Sequence, residues 1–93
     1  MELSERLKKM IQGEGLTQGE FACELGVSRR SVERYVAGDS IPSGEFYEKL
    51  AKHVTFSKYT MWLLTDDVQP QSGQICPAFS TQDTQGSVKK KAY

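Results

Sequence analysis

The chain has 93 residues, with 12 basic and 12 acidic side chains that give no formal net charge at pH 7. This length corresponds to one domain with one modest hydrophobic core, which fits a small binding module better than a complete enzyme. The sequence contains no long apolar run, signal peptide or lipidation pattern, so we expect a cytoplasmic protein with no membrane partner.

The first predicted helix begins near the N terminus. Its buried stripe consists of apolar residues at helical spacing, namely Leu3, Leu7, Met10 and Ile11. Gly13 and Gly15 follow this stripe, and glycines at the end of an apolar period predict a helix terminus.

The second predicted helix is short and ends in a tight turn. Thr17 is placed to cap it with a side-chain hydroxyl, and its apolar residues are Phe21, Ala22 and Leu25. Gly26 supplies the positive φ that a tight helix end requires. Where two helix axes cross closely at a steep angle, the residue at the point of contact must be small. Ala22 meets this requirement.

The third predicted helix has a basic outer side. Ser28 is its expected N-cap, and its inward stripe is Val32, Tyr35 and Val36. The outward residues are then Arg29, Arg30, Glu33, Arg34 and Ala37. At about 100° per residue this outer side spans about 140°. A helix that presents clustered arginines in this way has the shape and charge needed to enter the major groove of DNA.

Two further helices are predicted after a loop that contains Pro42. Ser43 is the expected cap of the fourth helix, whose core side would consist of Phe46, Leu50, Ala51 and Val54. Ser57 is the expected cap of a short fifth helix, whose apolar residues are Tyr59, Trp62 and Leu63. Five short helices of this kind predict an all-α bundle.

The composition changes after Asp66. Residues 67–93 are rich in Gln, Ser, Thr and Gly and end in a lysine cluster, so we predict a helical domain at residues 1–66 and a mostly irregular polar tail at residues 67–93. The only apolar cluster in this tail is Ile75 to Phe79. Two interpretations stay open: a flexible tail, or a segment at residues 74–80 that mediates self-association or binds a protein partner.

Other site chemistries find little support in the sequence. Cys23 lies in a predicted helix and Cys76 far away in the tail, which favours reduced thiols, and we expect Cys23 to be a small core residue. His53 is the lone histidine and has no metal-ligand neighbour at helical spacing. We therefore expect no metal site, no cofactor and no enzymatic activity.

The second and third helices resemble the Cro and phage-repressor helix-turn-helix family. That family shows the run T-Q-x-E-[FL]-A-x-x-[LV]-G-[VT]-S-x-x-[ST]-[VI]-x-x-[WYL]. It is matched by Thr17, Gln18, Glu20, Phe21, Ala22, Leu25, Gly26, Val27, Ser28, Ser31, Val32 and Tyr35. The likeness continues downstream through the family's G-x-x-x-P-S, L-A-x-x-[LV] and W-L-L-T segments, which begin here at Gly38, Leu50 and Trp62.

This resemblance implies a compact five-helix bundle of the phage-repressor type with roles for specific residues in DNA binding. Arg29 and Arg30 occupy the first turn of the recognition helix, where side chains approach base edges, and arginine reads guanine through O6 and N7. Arg34 lies one turn further on, within reach of a base or the backbone. Gln18 resembles the family's phosphate-binding glutamine. Ser28 and Ser31 are further candidates for backbone or bracing contacts.

The expected function is therefore that of a sequence-specific transcriptional regulator, Cro-like or of the short phage-repressor type. It would bind a pseudo-palindromic operator in double-stranded DNA as a homodimer, with guanine in each half-site. The alternative is an antitoxin or adaptor whose tail folds on a protein partner, an interpretation that depends on the apolar cluster at residues 75–79.

Overall fold

The computed structural model of the protein describes residues 1–77, in which five α-helices form and the one antiparallel bridge, between Gln69 and Gln74, does not extend into a strand. The helices are α1 (Leu3–Gly13), α2 (Gln18–Leu25), α3 (Arg29–Ala37), α4 (Gly44–Lys52) and α5 (Thr60–Thr65). Short 3₁₀ turns at Ser57–Tyr59 and Pro70–Ser72 precede and follow α5. The predicted all-α fold with five helices is confirmed.

All five helices contribute to one hydrophobic core. Its buried members are Leu7, Met10, Ile11, Phe21, Ala22, Leu25, Val32, Phe46, Leu50, Phe56, Tyr59, Trp62 and Leu63. Phe21 of α2 lies at the centre, with its ring centroid 4.9 Å from that of Phe56 and 6.3 Å from that of Phe46. Full burial of one such ring contributes about 1.5–3 kcal/mol, so α2 is firmly anchored to the rest of the bundle.

The structure corrects three expectations around α4 and α5. Ala51 and Val54 were expected in the core, but both are exposed, and Val54 is 92% exposed. The reason is that α4 ends at Lys52, so Val54 lies outside the helical period, and the core position is filled by Phe56, which is 1% exposed. Ser57 was expected to cap the fifth helix, but it opens the 3₁₀ turn instead.

Arg6 ties the start of α1 to the end of α5. Its side chain is almost completely buried, and Nε donates a hydrogen bond to the Leu63 carbonyl at 3.0 Å. The guanidinium also donates to the Met1 carbonyl, and the Asp66 carboxylate lies 4.0 Å from Nη1. Asp66 ends α5 in the left-handed conformation at φ 67°, which Asp tolerates better than most residues. A buried charge is stabilised here by several partners.

The first part of the predicted tail packs against the helices. Gln74 caps the N-terminal end of α5 although it lies 13 residues beyond Met61 in the sequence. Its Oε1 accepts the Met61 N–H at 2.9 Å, and its Nε2 donates to the Ser57 carbonyl at 3.0 Å. The Ile75 N–H donates to the Lys58 carbonyl at 2.8 Å. Val68 and Cys76 also contact the core cluster. Of the predicted self-association segment at residues 74–80, residues 78–80 lie outside the described part of the chain.

Candidate nucleic-acid interface

The start of α2 is fixed by a reciprocal pair of hydrogen bonds. The Thr17 hydroxyl accepts the Glu20 N–H at 3.1 Å, and the Glu20 carboxylate accepts the Thr17 N–H at 2.9 Å. This capping box confirms Thr17 as the predicted N-cap and satisfies two backbone donors at the helix end.

The turn between α2 and α3 has the tight geometry that the sequence predicted. Gly26 adopts the left-handed conformation at φ 84°. The N–H groups of Gly26 and Val27 both donate to the Ala22 carbonyl, at 2.9 and 3.0 Å. Ser28 then caps α3 by accepting the Ser31 N–H at 3.1 Å. Because a helix end, a turn and a cap follow one another without extra residues, α3 is held at a defined angle to α2.

Lys49 of α4 stabilises this turn, a role that sequence analysis missed. Its Nζ donates a hydrogen bond to the Gly26 carbonyl at 2.8 Å and lies 3.9 Å from the Glu45 carboxylate. The ammonium therefore lies at the C-terminal end of α2, where the helix dipole favours a positive charge. No local signal connects residues 26 and 49, so only the folded arrangement identifies this contact.

The inner side of α3 is locked into the core. Val32 is completely buried, and the ring of Tyr35 packs edge-on against Phe46 of α4 with 5.2 Å between centroids. Val36 is half-buried and also contacts the core cluster. The predicted inward stripe is thus confirmed, and α3 has little freedom to rotate about its own axis.

The outer side of α3 is exposed over its whole length. Its exposed side chains are Arg29, Arg30, Glu33, Arg34 and Ala37. Three arginines against one carboxylate make this surface locally basic although the whole chain is neutral. The structure therefore brings the three predicted base-reading candidates together on one exposed helix side, as the helical period predicted.

Arg29 is held at the N-terminal end of this surface. Its Nε donates to the Glu33 carboxylate at 2.9 Å, one helical turn away. A Cβ added at Gly19 would lie 3.6 Å from Arg29 Cδ and 3.8 Å from Nη1, so the Arg29 side chain lies over the first turn of α2. The side chain is nevertheless 73% exposed and accessible to a ligand.

The two serines of the predicted contact set bind each other. Ser28 Oγ donates to Ser31 Oγ at 2.8 Å while it also accepts the Ser31 N–H. Ser28 is therefore occupied as the cap of α3. The Ser31 hydroxyl lies beside it, half-buried, in the first turn of the helix.

Gln18 lies beside a shallow depression at the start of α2. Residues from α1 and from the following loop also line it, and the complete set is Lys8, Ile11, Gln12, Leu16, Thr17 and Gln18. Lys8, Gln12 and Gln18 bring one ammonium and two amides to this opening.

The remaining candidate groups have other roles. Cys23 was expected in the core, but it lies on the exposed side of α2, so that expectation was wrong. His53 is part-buried, with its ring stacked 4.4 Å from that of Phe56 and its Nδ1 accepting the Thr55 N–H at 3.0 Å. Among residues 1–77, no group of three or more His, Cys, Asp and Glu side chains is arranged to hold a metal ion. Nor does any helix in that range combine the length and apolar character needed to cross a bilayer.

Comparison with known proteins supports the assignment of α2 and α3 as a helix-turn-helix. A sequence model of the helix-turn-helix family matches residues 7–54, more than half of the 93-residue chain. The chain is also similar to repressor protein C of Escherichia phage P2, with 31% identity over 78 residues that cover 84% of this chain and 79% of the phage protein. The chain therefore belongs to the helix-turn-helix family of DNA-binding transcriptional regulators.

Proposed function

We propose that the protein is a transcriptional repressor of the Cro or short phage-repressor type that binds a pseudo-palindromic operator as a homodimer and has no catalytic activity. The observation that carries this proposal is the outer side of α3, where three arginines are exposed while Val32 and Tyr35 lock the opposite side into the core. The similarity to a phage repressor supports the same role. Access to an operator also requires the cytoplasmic location expected from the sequence.

Arg29, Arg30 and Arg34 are the proposed base-reading residues. Arg29 and Arg30 open α3, and the N-terminal part of a recognition helix approaches base edges most closely. The bond from Arg29 Nε to Glu33 leaves both terminal nitrogens to form a fork with O6 and N7 of guanine. Arg34 lies one turn further along α3, within reach of a base or a phosphate.

Gln18, Ser28 and Ser31 are the proposed backbone contacts. Gln18 begins α2, whose free N–H groups and positive dipole end favour a phosphate. Ser28 contributes chiefly by capping α3, and Ser31 is the better placed of the two serines to share its hydroxyl with a phosphate. Contacts of this kind orient the protein on DNA without reading sequence, and their strength falls steeply with salt.

The proposed homodimer is supported by apolar side chains exposed near the end of the bundle. Leu64 of α5 is 49% exposed, and Ile75, in the segment that packs beside α5, is 38% exposed. Two α3 helices related by a two-fold axis would enter successive major grooves about 10 bp apart. The antitoxin or adaptor alternative receives less support, because Cys76 of its apolar cluster packs against the protein's own core.

Selection of bound sequences from a random DNA pool tests the proposed function. We expect enrichment of an inverted repeat with guanine in each half-site and half-site centres about 10 bp apart. Arg29→Ala or Arg30→Ala is expected to cost about 1–3 kcal/mol on that site and to relax the preference at one position. A pool that remains random after selection would overturn sequence-specific binding. Enrichment of a single half-site would overturn the operator symmetry.

Sedimentation velocity tests the homodimer separately. Ile75→Glu places a charge in the proposed contact region and is expected to shift the protein toward monomer. Val54→Glu is the matched control, since Val54 is a β-branched residue that is 92% exposed outside that region. Equal sedimentation of the two variants, with both folded by circular dichroism, would exclude Ile75 from the interface.

A further inference from the structure

We propose that Glu33 is a specificity-determining residue that acts by positioning Arg29. This inference rests on the proposed contact between Arg29 and a base. It concerns a carboxylate whose charge would by itself oppose DNA binding.

The contact between Glu33 and Arg29 uses the one guanidinium nitrogen that a guanine does not need. The Glu33 carboxylate lies 2.9 Å from Arg29 Nε. Nε is bonded to Cδ, so a hydrogen bond there restricts rotation of the guanidinium about the end of its stem. Nη1 and Nη2 are the remaining donors, and these two form the bidentate fork that matches O6 and N7.

The Arg29 side chain also lies close to a second element, the first turn of α2. A Cβ at Gly19 would lie 3.6 Å from Arg29 Cδ, 3.7 Å from Nε and 3.8 Å from Nη1, all ordinary contact distances. The Arg29 stem therefore passes beside Gly19 at a distance that would also admit an alanine there, so the neighbouring turn does not by itself fix the side chain. The hydrogen bond to Glu33 is the directional contact that orients a side chain that is otherwise 73% exposed.

The charge of Glu33 adds a second effect. A carboxylate on the DNA-facing side of α3 repels phosphates wherever the protein binds, so it weakens binding to every sequence. Positioning of Arg29 instead strengthens binding only where guanine is present, because the ordering cost of the side chain is met before association. The charge therefore lowers affinity for all sequences alike and leaves discrimination unchanged, whereas the positioning of Arg29 raises affinity for the specific site alone and increases discrimination.

Three variants separate these effects. Glu33→Met removes both the charge and the acceptor of the Arg29 Nε hydrogen bond at similar side-chain length, whereas Glu33→Asp keeps the charge but is one methylene too short for the same contact. Glu48→Met is the matched control, because Glu48 also pairs with a basic residue four positions along its helix, Lys52 at 3.2 Å, but lies on α4 outside the helix-turn-helix.

The experiment measures the Kd of each variant for three kinds of DNA. The first is the selected operator and the second is the same operator with a replacement at the guanine for which Arg29→Ala has lost its preference. The third is an unrelated duplex. Both Glu33 variants are expected to lose about three- to tenfold in discrimination at that base pair, the factor that corresponds to ordering one long side chain. Glu33→Met is also expected to bind the unrelated duplex more tightly than wild type, whereas Glu33→Asp and Glu48→Met are not.

Full wild-type discrimination by Glu33→Met, while Arg29→Ala loses it, would overturn the role of Glu33 and leave the proposed base contact intact. Full discrimination by Glu33→Asp alone would reduce Glu33 to a charge effect and refute positioning. If wild type selects no sequence, or Arg29→Ala changes the preference at no position, the base contact and this inference fail together.

Discussion

Replacement of Lys49 by methionine tests whether α4 stabilises the helix-turn-helix turn through a single hydrogen bond. In the structure Nζ donates to the Gly26 carbonyl at 2.8 Å, and a second, longer contact of 3.9 Å joins it to Glu45. Methionine keeps most of the apolar stem of lysine, so Lys49→Met removes the charged donor while it retains packing.

The expected loss of stability is about 1 kcal/mol. A hydrogen bond from a charged donor contributes about 1.5–3 kcal/mol, but the Lys49 side chain is 37% exposed, so water screens the charge and replaces part of the bond. Its position at the C-terminal end of α2 adds about 0.3–1 kcal/mol that salt weakens. The Glu45 carboxylate is far more exposed, and its contribution is small.

Urea denaturation of Lys49→Met and of Lys52→Met provides the comparison. Lys52 lies on the same helix and pairs with Glu48 at 3.2 Å, but its side chain is 76% exposed and donates to no backbone carbonyl of the turn. We expect a clear decrease in midpoint for Lys49→Met, smaller at high salt, and almost none for Lys52→Met. Equal midpoints for the two variants would refute the turn-stabilising role of Lys49.

Three further predictions concern the core and its pH dependence. Ala22→Leu is expected to destabilise the protein by about 1–3 kcal/mol through overpacking at the crossing of α2 and α3, and an unchanged melting temperature would contradict the close crossing. Arg6→Met is expected to cost about 2–4 kcal/mol in denaturant unfolding, because two carbonyls lose their donor; a cost below that of Lys52→Met would contradict it. Burial and the hydrogen bond to Glu14 raise the pKa of Tyr59 well above its usual value. The fold favours the neutral phenol of Tyr59. The contribution of this group to the free energy of unfolding is therefore complete below about pH 10 and is lost as pH rises further. Tyr59→Phe should therefore show a shallower decrease in stability above that pH, and identical pH profiles would refute the linkage.

Much of the helix-turn-helix could be predicted because its determinants are local. Thr17 and Ser28 cap their helices through residues three positions away, and Gly26 adopts the positive φ that only glycine adopts easily. The inner and outer sides of α3 follow directly from the helical period. For the same reason the grouping of Arg29, Arg30 and Arg34 required no knowledge of the tertiary structure.

The errors and omissions involve contacts between distant residues. Lys49 reaches Gly26 from α4, and Gln74 caps α5 from a segment that composition alone describes as a polar tail. The prediction that Val54 lies in the core was wrong because α4 ends two residues before it, and Phe56 fills the core position instead. Contacts of this kind depend on which distant segments of the chain pack against each other. Neither periodicity nor capping signals contain that information.

The contacts around Arg29 could be predicted from the sequence only in part. An Arg and a Glu four positions apart on one helix predict an ion pair from spacing alone, so the contact between Arg29 and Glu33 had a signal in the sequence. The closeness of the Arg29 stem to Gly19 had none, because it depends on how α3 packs beside the first turn of α2. Hence sequence reasoning identified the base-reading candidates but not all of their neighbours in the fold.

Binding to an operator in which single guanines are replaced by 7-deazaguanine tests most directly whether the arginines of α3 read bases. This substitution removes the N7 acceptor from the major groove and leaves Watson–Crick pairing intact. Wild type should bind about tenfold more weakly when the guanine read by Arg29 is replaced, as expected for loss of half of a bidentate contact. Arg29→Ala should show no further loss. Equal binding of wild type to substituted and normal DNA at every guanine would contradict base reading by α3.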